Sequence, residues 1–451
     1  MAEPIAITGL GVVSALGLGA EAFWEGLCEG RVAIGRPTVL DASGFSCQFA
    51  AEAPALSMKD HLPKHYRKFA RVMARDIQLA VVAANEAAAD ARLCPDEDGE
   101  PAYPPHRLGT HVGAALLAPE IPELARAMRA AADDAGEWDL AAWGETGMGQ
   151  LTPLWMLKYL PNMLACHVSI LHRAKGPSNT ITAGEASGLL SIGEAMRVIE
   201  RGDAAASIAG SGDSRVNHLA IERLRLAGRL AETSVGGAGI DDPASIVRPF
   251  DPGATGSVPG EGAAVCFLER PEAAKVRGVE PIANLLGFGA AQAVPDLAAD
   301  GPVVAGLGAS VGGRADGLDD ALARAIEMAL RDAGVTAGEI DAVFCHGAGE
   351  PALDEAEARA LARVFGDRAR EVELCWLSPQ LGETMAAGGS LLVSAAALAL
   401  RHQASPARVQ PGAGREGLAT KPAEVRSMKL RRVVACTHAL GGQCAALVLG
   451  A

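Results

Sequence analysis

The sequence predicts a layered α/β protein built as two halves. Three observations predict it. Apolar strand-like runs alternate with segments whose apolar residues recur at helical spacing. The alternation restarts after an apolar strand that ends near Leu268. The chain has 451 residues, 49% of them hydrophobic and 21% charged, so it can bury a core too large for one simple layer.

The elements follow in order. Ile5-Ala6-Ile7-Thr8-Gly9-Leu10-Gly11-Val12-Val13-Ser14 reads as a buried strand running into a glycine turn, and Ala22, Phe23 and Leu27 mark the helix after it. Taken alone, these glycines imitate a dinucleotide fingerprint. The third glycine is replaced by Ser14, however, and the nearest acidic strand end, Asp41, lies further on than the roughly 20 residues the motif requires. No nicotinamide site is expected. Arg71 to Ala91 has helical spacing, and Cys94 to Arg107 gathers Pro, Asp, Glu and Gly as an exposed loop. A strand over Leu108 to Ala115 precedes a polar helical stretch around Glu120 to Ala135.

Thr180-Ile181-Thr182-Ala183-Gly184-Glu185-Ala186-Ser187-Gly188 leads into a helix with Leu189, Ile192, Ala195, Met196 and Ile199 on one face, and a strand follows over Ala205 to Ala209. A strand, a tight turn of small residues and a buried helix together thrust one side chain into a pocket at a helix N-terminus. Glu185 is the residue so placed. Arg248-Pro249-Phe250-Asp251 and Val258-Pro259-Gly260-Glu261-Gly262 then feed a strand over Ala263 to Leu268. The glycine-rich stretch Val294 to Gly317 reads as a long loop between the halves. Helix Leu318 to Ala333 and strand Ala342 to Cys345 come next. The chain closes with strands Val433 to Cys436 and Ala445 to Leu449 around Gly441-Gly442.

Composition excludes several classes of function. The net charge of −14 opposes attraction to nucleic acid or to an anionic membrane surface. No apolar run reaches the roughly 20 residues of a membrane span. Met1-Ala2-Glu3-Pro4 lacks the basic start of a signal peptide, so a cytoplasmic location is expected. The nine cysteines are scattered without a C-x-x-C pair, which argues for buried free thiols and against a metal site or a disulfide framework. One basic segment stands out, with Lys64, His65, Arg67, Lys68, Arg71 and Arg75 close together. It reads either as a solvated helix face or as a dock for an acidic carrier, through Lys64, Arg67 and Lys68.

With these residues in place, the chain resembles the β-ketoacyl synthase family over nearly its whole length. The landmarks occur in order: Thr8-Gly9-Leu10-Gly11, the Glu185 turn, Arg248-Pro249-Phe250-Asp251, Val258-Pro259-Gly260-Glu261-Gly262, His346-Gly347 and Gly441-Gly442. The resemblance implies the thiolase fold, two similar βαβαβαββ halves in a five-layered α-β-α-β-α arrangement. The halves are expected at residues 1–270 and 271–451. It also implies no cofactor.

Active members carry a nucleophilic Cys, a His in an H-G-T segment, a Lys and a second His. Here those positions are Glu185, His346, Ser378 and Glu383. Transthioesterification needs a thiolate, and a carboxylate is a poor acyl acceptor. An ionised Glu383 would repel the negative charge that develops on the thioester, and losing one such donor typically costs about a hundredfold to a thousandfold in rate. No condensing activity is expected of the chain alone. The plainer readings are that Glu185 complements a helix dipole and that His346 persists as a packed hydrogen-bonding residue near Asp354 and Glu357. Cys345 and His346 form no dyad, because adjacent strand residues point to opposite faces.

Within the family the chain is similar to the chain-length factors of type II polyketide synthases, which usually carry Gln at the Glu185 position. Gly212-Asp213-Ser214, Leu226-Ala227-Gly228-Arg229-Leu230, Pro351-Ala352-Leu353-Asp354-Glu355-Ala356-Glu357 and Val364-Phe365-Gly366 carry this finer likeness. It implies a non-catalytic subunit paired with an active ketosynthase and served by an acyl carrier protein with a phosphopantetheine-linked chain. The subunit would shape the tunnel for that chain and so set its length. Leu116, Leu117, Met156, Tyr159 and Leu160 have the bulk to line the tunnel. The alternatives are a malonyl-carrier decarboxylase using Glu185 and His346, and a purely structural partner.

Overall fold

Strand β1 (Ile5–Ser14) is buried along its whole length, and its two glycines explain how. A Cβ at Gly9 or Gly11 would collide with the Ala87 or Ala83 carbonyl oxygens of helix Arg75–Asp90, so the strand lies directly against that helix. The glycines that imitate a nucleotide fingerprint serve packing. In the second half, Gly287 and Gly289 of strand Ala283–Gln292 approach the Ala329 and Ala325 carbonyls of helix Leu318–Ala333 in the same way.

The computed structural model describes residues 3–94, 101–233, 240, 242–294 and 315–451. Most of the loop expected at Val294 to Gly317, and part of the one at Cys94 to Arg107, lies outside these residues. Leaving aside two-residue strands, β1 is followed by β2 (Leu108–Gly113), β3 (Ser178–Ile181), β4 (Ala206–Ser214) and β5 (Glu261–Glu269). The second half holds β6 (Ala283–Gln292), β7 (Ala342–Phe344), β8 (Glu373–Cys375), β9 (Arg432–His438) and β10 (Gln443–Gly450). The longer helices are α1 (Ala20–Cys28), α2 (Arg75–Asp90), α3 (Ile121–Ala130), α4 (Met163–Leu171), α5 (Ser187–Glu200), α6 (His218–Leu226), α7 (Leu318–Ala333), α8 (Pro351–Phe365) and α9 (Ala386–His402).

Strand pairing reveals a duplication. The first half runs β3-β2-β4-β5-β1 and the second β8-β7-β9-β10-β6. In each, the strand next to the inner edge, β5 or β10, is antiparallel to both neighbours, while the three strands beyond it run parallel. The halves join where β1 pairs with β6, Ile5 opposite Leu285. Helices α2 and α4 pack on the outside of the first sheet, and α7 and α8 outside the second. Between the sheets lie α5 and α9, buried along nearly all their length. This is the five-layered thiolase arrangement. Apolar helices covered on both sides are what a middle layer requires.

The sequence-predicted boundaries differ at β4, which runs on to Ser214 where the sequence suggests an end at Ala209. Gly210-Ser211-Gly212-Asp213 looks like a turn. These residues stay in register because β5 pairs opposite them from Val265 to Gly262. Among the described residues, no helix is long and apolar enough to cross a membrane.

Candidate functional site

The site forms where α5 and α9 meet. Their N-terminal turns approach closely because neither presents a side chain at the crossing: a Cβ at Gly188 would strike the Ser390 amide, and one at Gly389 would strike Leu189. The turn preceding each helix is thereby brought to one place. Gly184, at φ +55, sharpens the first turn and sets Glu185 just ahead of α5. Gly382, at φ +64, does the same for Glu383 ahead of α9. His346 arrives from the C-terminal end of β7 and His438 from that of β9. These strands run parallel side by side, so the two rings lie 4.7 Å apart between centroids.

Glu185, His346, Ser378 and Glu383 line one cavity. The fold thus brings these four sequence-named positions together. What the cavity holds is different from an acyl pocket. Its free volume is about 30 Å³, room for about one water molecule.

The space is closed by Arg229, from the turn after α6. Its Nη1 donates to Glu185, its Nη2 to Glu383 at 2.7 Å and its Nε to Glu350 at 3.2 Å. All four side chains are buried. Burial would raise the Glu383 pKa, but the Arg229 guanidinium and the His346 imidazole overcome this and hold it at about 2. Burial would likewise lower that of His346, yet its hydrogen bond and Coulomb attraction to Glu383 raise it to about 9. The His346 Nε2 lies 3.5 Å from Glu383, so the site holds an imidazolium facing a carboxylate. Burial raises the Glu350 pKa against the pull of Arg229, and its Oε1 has no partner among the described residues.

A second ring of contacts fixes these groups. The amides of His346 and Gly347 donate to Glu357 at 2.9 and 2.8 Å, and Ser378 donates to the Gly347 carbonyl. The Glu357 carboxylate also faces the His438 Nε2 at 3.8 Å, too far for a hydrogen bond. Asp354 accepts from the amides of Phe250 and Gly349 at 2.8 and 3.1 Å. Cys345 points the other way, its thiol toward the Cys375 carbonyl at 3.5 Å.

The Asp354 carboxyl yields a testable consequence. Burial, then repulsion from Glu357, raises its pKa from 3.8 to about 8. A group whose pKa rises on folding favours the fold below its unfolded pKa and loses that contribution as pH climbs through its folded one. Stability should therefore decline between about pH 4 and 8 on its account. Asp354→Asn keeps an acceptor for both amides and should flatten this slope in denaturant titrations. An unchanged slope would rule out Asp354 as its source.

Chemically, the arrangement pairs buried charges around Arg229. No thiol lines the cavity among the described residues, and both hydrogen-bonding positions opposite Glu185 are committed to Arg229 or Glu383. Among the described residues, no cluster of three His, Cys, Asp or Glu side chains is placed to hold a metal ion. Of the clamp residues, Arg229 is marked in the sequence only as part of Leu226-Ala227-Gly228-Arg229-Leu230, and Glu350, like His438, lies in no motif. One signal does point to the first: two acids at buried positions call for a buried cation.

The other expected site residues spread out. Leu116 is exposed on the wall of a separate cavity of about 340 Å³, which Arg229 also lines. Leu117, its neighbour, packs into the core beside α2. Tyr159 lines a third cavity of about 400 Å³ and donates to Glu123 at 2.7 Å, Met156 is exposed, and Leu160 is half-buried. Lys64, Arg67 and Lys68 are exposed.

The chain matches the β-ketoacyl synthase N-terminal domain over residues 2–274 and the C-terminal domain over 303–410. It belongs to the β-ketoacyl synthase family. Among relatives of this ketosynthase homologue, 3-oxoacyl-[acyl-carrier-protein] synthase 2 of Staphylococcus aureus (strain COL) is 29% identical over 397 residues, 88% of this chain and 85% of the relative. The enzyme of that name from Coxiella burnetii is 29% identical over 449 residues, 99% of this chain and 98% of its own. Among solved structures, the ishigamide ketosynthase/chain length factor superposes with a TM-score of 0.79 at 27% identity, covering 100% of this chain and 99% of its own. A β-ketoacyl synthase from Burkholderia phymatum STM815 gives 0.79 at 26% identity, covering 99% of each. The family fold is thus present, and in it Glu185, Glu350 and Glu383 meet at Arg229.

Proposed function

We propose that the chain is a catalytically degenerate ketosynthase-like subunit that pairs with an active ketosynthase and shapes the polyketide tunnel, setting chain length. The observation that carries this reading is the Arg229 clamp: the nucleophile turn presents a carboxylate, and the space beside it holds about one water. Such a chain keeps the fold and its surfaces without the chemistry. The likeness to the ishigamide ketosynthase/chain length factor supports it. So does the grouping of exposed apolar side chains between Leu116 and Ile170, among them Leu116, Ile121, Leu154 and Met156, next to the exposed edge strand β3. In this reading the halves divide at residues 1–270 and 271–451. The same clamp weighs against a malonyl-carrier decarboxylase, since no thioester fits between Glu185 and His346.

Co-expression with an intact Cys-His-His ketosynthase tests the pairing. A stable heterodimer on gel filtration is expected, and a chain that stays alone at micromolar concentration would refute it. Within that heterodimer Leu116→Ala should lengthen the product, read by mass spectrometry, because Leu116 projects from a cavity wall. Unchanged length there, and on shortening Met156 or Tyr159, would leave only a structural role.

Lys64, Arg67 and Lys68 are proposed to dock the acidic carrier. Replacing all three with glutamate should weaken carrier affinity by about tenfold or more at low salt and by much less at high salt. Equal affinity at low salt would move the dock elsewhere.

A further inference from the structure

The cavity of about 340 Å³ beyond Arg229 lies within the range of small-ligand pockets, about 300–1,000 Å³. Its surface is largely apolar, from Leu116, Leu224, Met385 and Leu440. Three arginines also line it: Arg215, Arg223 and Arg229. Every nitrogen of the Arg229 guanidinium is engaged by the three glutamates already described. Of the other two, Arg223 is the one without a carboxylate partner among the described residues.

Arg215 is buried and pairs with Asp213, and against its burial the charges of Asp213, Asp76 and Glu383 push its pKa up, so its charge is balanced within the protein. Arg223 is half-buried and donates Nη1 to the Leu116 carbonyl at 3.1 Å. Among the described residues, no carboxylate forms an ion pair with it. Burial and the nearby charge of Arg215 push its pKa down, which is the mark of a cation short of counter-charge. On this wall Arg223 alone lacks an ion-paired carboxylate among the described residues, and an anion in the cavity would supply one.

We propose that this cavity binds a linear amphiphilic carboxylate non-covalently, its tail along Leu116, Leu224 and Leu440 and its head held by Arg223. The planar fork of a guanidinium suits a carboxylate, and the charge-assisted hydrogen bonds outweigh neutral ones. The occupant is a free acid, distinct from a thioester-linked chain. Its failure is therefore distinguishable from failure of the pairing proposed above: product length can respond to Leu116 with no carboxylate affinity, and carboxylate can bind a chain that has no partner.

Titration calorimetry of the full chain with decanoate, decanol and decyl phosphate tests it. Decanoate is expected to bind about tenfold or more tighter than decanol, the difference a charged hydrogen-bond pair supplies. Arg223→Gln should abolish that preference while leaving decanol affinity and the melting temperature in place. Ala227→Trp, which fills the cavity, should remove binding of both. Equal affinity for decanol and decanoate would overturn the proposal, as would a preference that survives Arg223→Gln. Tighter binding of decyl phosphate than of decanoate would overturn the carboxylate assignment.

Discussion

Arg229→Met should destabilise the fold by about 3–5 kcal/mol at pH 7, read as a lowered denaturation midpoint, because it strands three buried carboxylates without their cation. Two further results are expected from the same cause. Adding Glu185→Gln, Glu350→Gln and Glu383→Gln to Arg229→Met should restore most of the loss, since all three stranded charges then disappear with their partner. Lowering the pH should narrow the gap between variant and parent, since stranded carboxylates take up protons.

The parent protein has its own signature. Glu383 falls from 4.5 to about 2 on folding, so its contribution is present above 4.5 and lost as pH falls toward 2. His346 rises from 6.5 to about 9, so its contribution is present below 6.5 and lost as pH climbs through 9. Both are complete between 4.5 and 6.5. Without Arg229 the acid limb should move upward. A variant as stable as the parent across this range would mean that the clamp contributes nothing.

In a heterodimer with an active ketosynthase, changing the partner's nucleophilic cysteine to alanine should reduce product to background. Glu185→Gln in this chain should alter the rate by no more than about twofold, because glutamine keeps an acceptor for Arg229 and no bond is made or broken there. Radiolabelled carrier and product counts would measure both. Loss of product on Glu185→Gln with the complex intact would assign Glu185 a part in the chemistry. For the same reason Glu185→Cys in the isolated chain should yield no acyl-enzyme. The cavity that Glu185 lines has room for about one water, and Glu383 lines it while bonded to Arg229.

Much of the fold is legible in the order of residues along the chain. The helix over Leu318 to Ala333 forms with the bounds its pattern predicts, since its apolar stripe is complete and glycines flank both ends. The three altered positions Glu185, Ser378 and Glu383 and the retained His346 line one cavity because the landmarks around them belong to a known architecture. The repeat is also written in the chain: Gly9-Leu10-Gly11 recurs as Gly287-Phe288-Gly289, each seating a helix. Two glycines around one apolar residue are weak evidence of duplication, however, until the helices they touch are known.

The partnership around Arg229 is hidden for a stronger reason. Its three carboxylates lie 44, 121 and 154 residues away, on separate turns, and no local pattern records such distances. Leu116 and Leu117 make the same point at short range. Both are apolar and adjacent, yet one is exposed on a cavity wall and the other sits in the core, because the chain leaves β2 and loses the regular alternation that would have sorted them.

By itself, then, the sequence determined the layered two-half architecture, which depends on residue type and on spacing along the chain, and its family resemblance named the positions expected to depart from an active centre. Only the tertiary structure decided that one arginine holds three acids there, and that Arg223 lines a separate apolar cavity without an ion-paired carboxylate among the described residues. Charge balance in a buried site is a property of what meets there, and that is settled by the crossing of α5 and α9 through glycine contacts.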